Sequence, residues 1–120
     1  SQASHNDGIE CFIIHIDQIP IGYIQLYNAY DFQRSQPLSG LPESLGAVDI
    51  FIGETGYLGR GYGSAALKLF LETYAFSNYR YIFVDPEFRN KNAVMAYEKA
   101  GFVIWKRVNQ QFWMIAHKKM

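Results

Sequence analysis

The stretch Tyr57-Leu58-Gly59-Arg60-Gly61-Tyr62-Gly63-Ser64 decides how the rest of the chain is read. Three glycines at alternate positions, with an arginine between the first two, run straight into a segment of helical periodicity. Glycine lets a backbone turn tightly and come close to a ligand. A helix that begins there directs unpaired N–H groups and a positive dipole end into the loop. The combination describes a cradle for an anion, most simply a phosphate. Two competing templates fail. A Walker loop requires Lys-Ser/Thr after its last glycine, and Ser64-Ala65 supplies no lysine. The dinucleotide fingerprint requires Gly-x-Gly-x-x-Gly, whereas Gly59, Gly61 and Gly63 fall two apart. A glycine-rich turn that only caps a helix is the plain alternative.

Outward from this loop, the downstream helix carries Ala66, Leu67, Phe70, Leu71 and Tyr74 on one face and Ser64, Lys68 and Glu72 on the other. Upstream, Ile9 to Ile16 and Ile21 to Tyr27 are β-branched and aromatic, and Asp17-Gln18-Ile19-Pro20 joins them, so they predict a hairpin. Asn28 to Gly46 reads as one long loop, and Ala47 to Gly53 as a third strand. Tyr79 to Asp85 predicts a fourth strand, and Asn90 to Ala100 a second helix stopped by Gly101. Phe102 to Val108 and Gln111 to His117 close the chain as two strands around Asn109-Gln110. The order ββ-loop-β-α-β-α-ββ is α/β with strands of mixed direction.

A chain of 120 residues, 49% hydrophobic and 17% aromatic, is expected to form one domain with a substantial core. Lys+Arg and Asp+Glu balance at 11 each, which leaves no basic footprint for nucleic acid. The single cysteine, Cys11, excludes an internal disulfide, fits a reducing, cytoplasmic compartment, and reads as core filling. No run approaches the length of a membrane span, and His5, His15 and His117 show no metal-ligand spacing. No membrane partner and no metal are therefore expected. The chain starts at Ser1 rather than methionine, which suggests a trimmed segment.

The glycine loop, Val84-Asp85-Pro86 at a strand end, and Asn90-x-x-Ala93-x-x-x-Tyr97-Glu98-Lys99-Ala100-Gly101-Phe102 together resemble the acetyl-CoA-binding half of the GNAT N-acetyltransferases. The aminoglycoside 6'-N-acetyltransferases are the most similar group. Pro20-Ile21-Gly22-Tyr23 resembles their second hairpin strand. Val48-Asp49, ten residues before Gly59, and Asp85-Pro86, twelve before Tyr97, fall at their spacings. The resemblance covers residues 9 to 117. It implies a mixed, mainly antiparallel sheet flanked by helices, acetyl-CoA as cosubstrate, a small-molecule amine as partner, and a monomer or homodimer.

Departures qualify that picture. The family begins with a strand and helices that wall the acceptor site, and here almost nothing precedes the hairpin. The expectation is an N-terminally truncated domain, or a site completed by another chain. Where aminoglycoside enzymes often have an acidic, tryptophan-containing loop, this chain has Asp31-Phe32-Gln33-Arg34-Ser35-Gln36. Val108-Asn109-Gln110 offers no acid where some members place one. Other amine acceptors, such as a siderophore hydroxylysine or a peptide N-terminus, remain open, as does an inactive acyl-CoA-binding module.

The resemblance also distributes roles. An acceptor ammonium must shed a proton before it attacks a thioester, and the departing thiolate must be stabilised. Asp49 is the candidate to bind the ammonium and take its proton; strand alternation equally permits an ordinary solvent-facing residue. Asp85 is a second candidate for acceptor binding, with a strand-end turn as the alternative. Tyr97 is the candidate general acid, although Ala93, Tyr97 and Ala100 also form a helical core stripe. Leu58, Gly59, Arg60, Gly61, Tyr62, Gly63 and Ser64 are expected to hold the pyrophosphate. Asn90 is expected to cap its helix and to bond the pantetheine arm. Trp105 and Trp113 read as packing.

Overall fold

The computed structural model describes residues 3–6, 8–31, 40–41, 43–53 and 61–118. Among the described residues seven strands form one sheet in the order β1-β2-β3-β4-β5-β7-β6. Strands β2 (Ile9–Ile16) and β3 (Ile19–Asn28) pair antiparallel from Glu10↔Leu26 to Ile16↔Ile19. The turn between them is tighter than the sequence suggested. Only Asp17 and Gln18 leave the ladder, both at positive φ (49° and 69°), the geometry that matches strand twist in a two-residue hairpin. Ile19 and Pro20 therefore belong to the strand, where Pro20 tolerates the lack of an N–H beside a bulge at Ile14/His15. A short strand does precede the hairpin: β1 (Ala3–Asn6) lies antiparallel on β2.

Strand β4 (Leu45–Ile52) pairs antiparallel with β3 and parallel with β5 (Tyr81–Val84). Leu45 and Gly46, which the sequence placed in the long loop, are fully part of β4; residues 32–39 and 42 of that loop lie outside the described residues. Between β4 and β5 runs helix α1 (Tyr62–Phe70), which widens into a π turn at Leu71–Ala75 and ends in α2 (Phe76–Asn78). Helix α3 (Lys91–Ala100) follows β5, and β6 (Val103–Val108) with β7 (Gln111–His117) closes the sheet. No helix of the described residues is long and apolar enough to cross a membrane.

The alternation of each strand sorts side chains onto two faces. Val48, Ile82, Val84 and Met114 meet Leu67, Phe70, Leu71 and Val94 of the helices in the main core. Leu45, Ala47, Phe83 and Trp113 form a smaller cluster on the opposite face. Trp113 is buried there, and Trp105, at the β6 bulge, stacks on it at 6.0 Å. Both tryptophans are packing residues. Cys11 is half-buried on β2 and outside both clusters, so it is not the core filler that its apolar neighbours implied.

Two glycines in the sheet are steric necessities. A Cβ on Gly22 would stand 2.0 Å from the Phe51 carbonyl oxygen and 2.9 Å from the Ile52 Cα, so β3 and β4 reach this approach only with glycine. At Gly46 a Cβ would meet the Tyr79 ring at 2.6 Å. The Tyr74 hydroxyl donates to the Glu10 carboxylate, beside the tilted rings of Phe12 and Phe70, and ties the π turn that follows α1 to the hairpin.

Candidate active site

The parallel ladder between β4 and β5 is short. It runs Leu45↔Tyr81, Gly46↔Ile82, Ala47↔Phe83 and stops, although β4 continues for five residues to Ile52. The two strands part, and among the described residues no strand takes up the freed edge of Val48 to Ile52. A cleft of about 590 Å³ opens at this fork, lined by Ile50 and Ile52, by Gly61, Gly63, Ser64 and Leu67 of the α1 side, and by Asn90 and the α3 residues Asn92, Ala93, Met95, Ala96, Tyr97 and Lys99. That size suits a cofactor-sized ligand.

The α1 end of the cleft is built by Gly61. It takes the N-cap position in the left-handed conformation (φ 81°), where a side chain would be strained. A Cβ there would meet nothing within 4 Å, so the backbone borders open space. The first intrahelical bond is Ala65 N–H to Gly61 O (3.0 Å), and no side chain caps the helix. The Ser64 hydroxyl donates to the Gly61 carbonyl at 3.2 Å and steadies the turn. Gly61, Gly63 and Ser64 thus line the cleft. Tyr62 does not: its side chain lines the groove between α1 and β2. Leu58, Gly59 and Arg60 lie outside the described residues. At the α3 end, Asn90 caps the helix, its Oδ1 accepting from the Ala93 N–H at 3.1 Å, and also lines the cleft.

The chemistry gathers where the strands part. By alternation Asp49 shares the face of Leu45 and Ala47, and Asp85 that of Tyr81 and Phe83. Tyr27 joins them, because it pairs with Ala47 and so stands diagonally next to Asp49; its hydroxyl donates to Asp49 Oδ2 at 3.3 Å. Asp49 is exposed, not embedded among the apolar residues that flank it in sequence. Tyr97 approaches from the helical side, its ring edge-on to Phe102 at 5.5 Å. Burial pushes the Tyr97 phenol up to about 12, and Asp49, Asp85 and Tyr27 add to the shift. Tyr97 thus lies within electrostatic reach of both carboxylates, and of the three it is the one that lines the cleft. Sequence reasoning missed Tyr27, because its link to Asp49 exists only in the β3–β4 register. Among the described residues no group of His, Cys, Asp and Glu could hold a metal ion.

Residues 1–110 match the acetyltransferase (GNAT) domain family. The chain belongs to the GNAT acetyltransferases. Solved structures of this GNAT fold superpose over nearly all of it. The aminoglycoside acetyltransferase AAC(6')-Ib, in complex with ribostamycin and coenzyme A, matches 93% of this chain at a TM-score of 0.82 and 23% identity. Aminoglycoside N(6')-acetyltransferase from Legionella pneumophila matches 92% at 0.68 and 22% identity. A spermidine N-acetyltransferase chimera, built from Vibrio cholerae SpeG and hSSAT, matches 94% at 0.70 and 20% identity. This GNAT chain spans 65%, 63% and 70% of those three chains.

Proposed function

We propose that this chain is an acetyl-CoA-dependent N-acetyltransferase, acting as one domain, that moves acetyl directly onto a primary amine. The fork between β4 and β5 carries the reading. The freed edge of Val48 to Ile52 has backbone groups that a neighbouring strand would otherwise satisfy, and the amides of a pantetheine arm can complete them. The N-terminus of α1, opened by Gly61, suits the pyrophosphate, with Leu58, Gly59 and Arg60 extending the cradle. Asn90 stands where it can bond the arm as well as cap α3.

At the fork, Asp49 and Asp85 bind the acceptor ammonium. Asp49 takes its proton and releases it to water, while Tyr27 holds the carboxylate in place. As the amine forms its C–N bond and the C–S bond breaks, Tyr97 donates a hydrogen bond and then a proton toward the sulfur, which leaves as thiol. Tyr97 is suited to this because the site keeps its proton in place through the neutral range. The mechanism needs no covalent acyl-enzyme.

The acceptor class that we favour is the 6'-amine of an aminoglycoside. Paired carboxylates suit a polycation, and relatives of the same fold were solved with ribostamycin and kanamycin. Acetylation would turn a cation into a neutral amide, the chemistry of antibiotic resistance, in the cytoplasm where acetyl-CoA is supplied. The spermidine enzyme of the same fold makes a linear polyamine the natural contrast. The test is thiol release from acetyl-CoA with a panel of aminoglycosides, polyamines and peptide amines. Release with an aminoglycoside and not with the others is expected. Acetyl-CoA binding without turnover of any amine would leave a binding module instead.

A further inference from the structure

The face of the sheet turned away from the helices carries an apolar row that belongs to neither core cluster. Ile13 pairs with Tyr23 across β2 and β3, and Tyr23 with Phe51 across β3 and β4, so the three side chains stand abreast. All three are exposed, Phe51 by 54%, and the rings of Tyr23 and Phe51 lie 5.5 Å apart. The Phe51 ring also reaches over Gly53, where a Cβ would stand 2.9 Å from its Cε2. An aromatic ring held by its neighbours and still half bare loses little freedom when a ligand settles on it. Cross-strand aromatic pairs also stabilise a sheet, but that role does not require a bare ring. The next pair along the same two strands is Gln25↔Asp49, so the row stands roughly 7 Å along β4 from Asp49 and on the same face. Ile50 and Ile52, which line the cleft, alternate to the other face.

A carboxylate beside bare aromatic rings matches an amine that carries a ring of its own. The ammonium meets Asp49, the C–H face of the ring covers Phe51 and Tyr23, and a further ammonium on that ring is drawn to their π faces. We infer that Tyr23 and Phe51 form a ring-binding subsite for the acceptor, which seats an amino-sugar ring next to the amine held at Asp49. The inference rests on the aminoglycoside reading above and assigns both aromatics a binding role, not a catalytic one. Asp49 at the end of the row favours a cationic occupant over a second copy of the chain. A two-fold contact through this face would bring a second Asp49 to it, like charge against like.

The experiment measures thiol release from acetyl-CoA with kanamycin and with ribostamycin, on the full chain, on Phe51→Leu and on Phe51→Tyr. The leucine keeps the apolar bulk and removes the π face, whereas the tyrosine keeps both. Phe51→Leu should raise KM for the aminoglycoside about fivefold, the size of one exposed cation–π contact, with kcat and calorimetric coenzyme A affinity unchanged. Phe51→Tyr should hold KM. An unchanged KM in Phe51→Leu overturns the inference, as does a rise matched by an equal loss of coenzyme A affinity, which would mark Phe51 as structural. A dimer in sedimentation that Phe51→Leu dissociates without moving KM also overturns it and gives the face to a second copy. No turnover of either aminoglycoside by the unmodified chain overturns the aminoglycoside reading itself, and the inference with it.

Discussion

Replacing Tyr97 by Phe removes one oxygen and leaves the ring edge-on to Phe102, so packing is preserved and the hydroxyl is tested alone. Its pKa of about 12 lies some 2 units above the usual phenol value of about 10. At 1.36 kcal/mol per unit, the site favours the neutral phenol by roughly 3 kcal/mol. Full transfer of that proton to a thiolate, whose thiol has a reference value near 8.5, is uphill by about 3.5 units before the substrates rearrange the site. In the proposed mechanism Tyr97 therefore acts first as a hydrogen-bond donor to charge developing on sulfur, worth about 1.5–3 kcal/mol. The expected loss in kcat is about 10²-fold, the lower end of the range for general acids. Single-turnover rates with acetyl-CoA, read beside cofactor affinity and melting curves, measure it. Linkage supplies an independent readout. The folded chain holds the Tyr97 proton up to about 12, whereas the unfolded chain releases it near 10. Between those values the unfolded state binds fewer protons, so stability is intact below pH 10 and falls as pH rises through 12. Tyr97→Phe should remove roughly 3 kcal/mol of that alkaline loss. Equal single-turnover rates and an unchanged alkaline transition in the variant would refute the reasoning and return Tyr97 to the core.

If Asp49 binds the acceptor as proposed, Asp49→Asn should lower kcat and raise the acceptor KM while acetyl-CoA affinity holds; steady-state kinetics with the best amine decide it. Gly61→Val places a β-branched residue at φ 81° and should weaken coenzyme A binding by at least tenfold in calorimetry, through backbone strain, because a Cβ there meets no neighbour. Gly22→Ala drives a Cβ into the Phe51 carbonyl, so it should cost about 3 kcal/mol or more in thermal unfolding and disturb the β4 end that lines the cleft. An unchanged melting temperature in that variant would mean that β3 and β4 separate without penalty.

The elements that sequence placed well are those whose signals are local. The strand Gln111 to His117, the cap at Asn90 and the left-handed stop at Gly101 (φ 111°) each depend on a few neighbouring residues, and the structure reproduces them. The glycine alternation marked the start of α1 for the same reason: Gly61 needs its backbone angle whatever surrounds it. Motif spacing carried the family, because separations along the chain survive where identity has fallen to about 23%.

The site itself was decided in three dimensions. Strand alternation left the direction of Asp49 open; the structure turns it to the exposed face, and only the β3 register brings Tyr27 onto its carboxylate. Asp49, Asp85 and Tyr97 are separated by 36 and 12 residues, and the fold brings both carboxylates within electrostatic reach of the Tyr97 hydroxyl, near where the parallel ladder ends at Ala47↔Phe83. Where a ladder stops depends on how the twisted strands and the helices above them pack, which no local run of residues encodes. The same holds for Lys99: one lysine in a charged helix turn became a cleft residue only when α3 was laid beside α1.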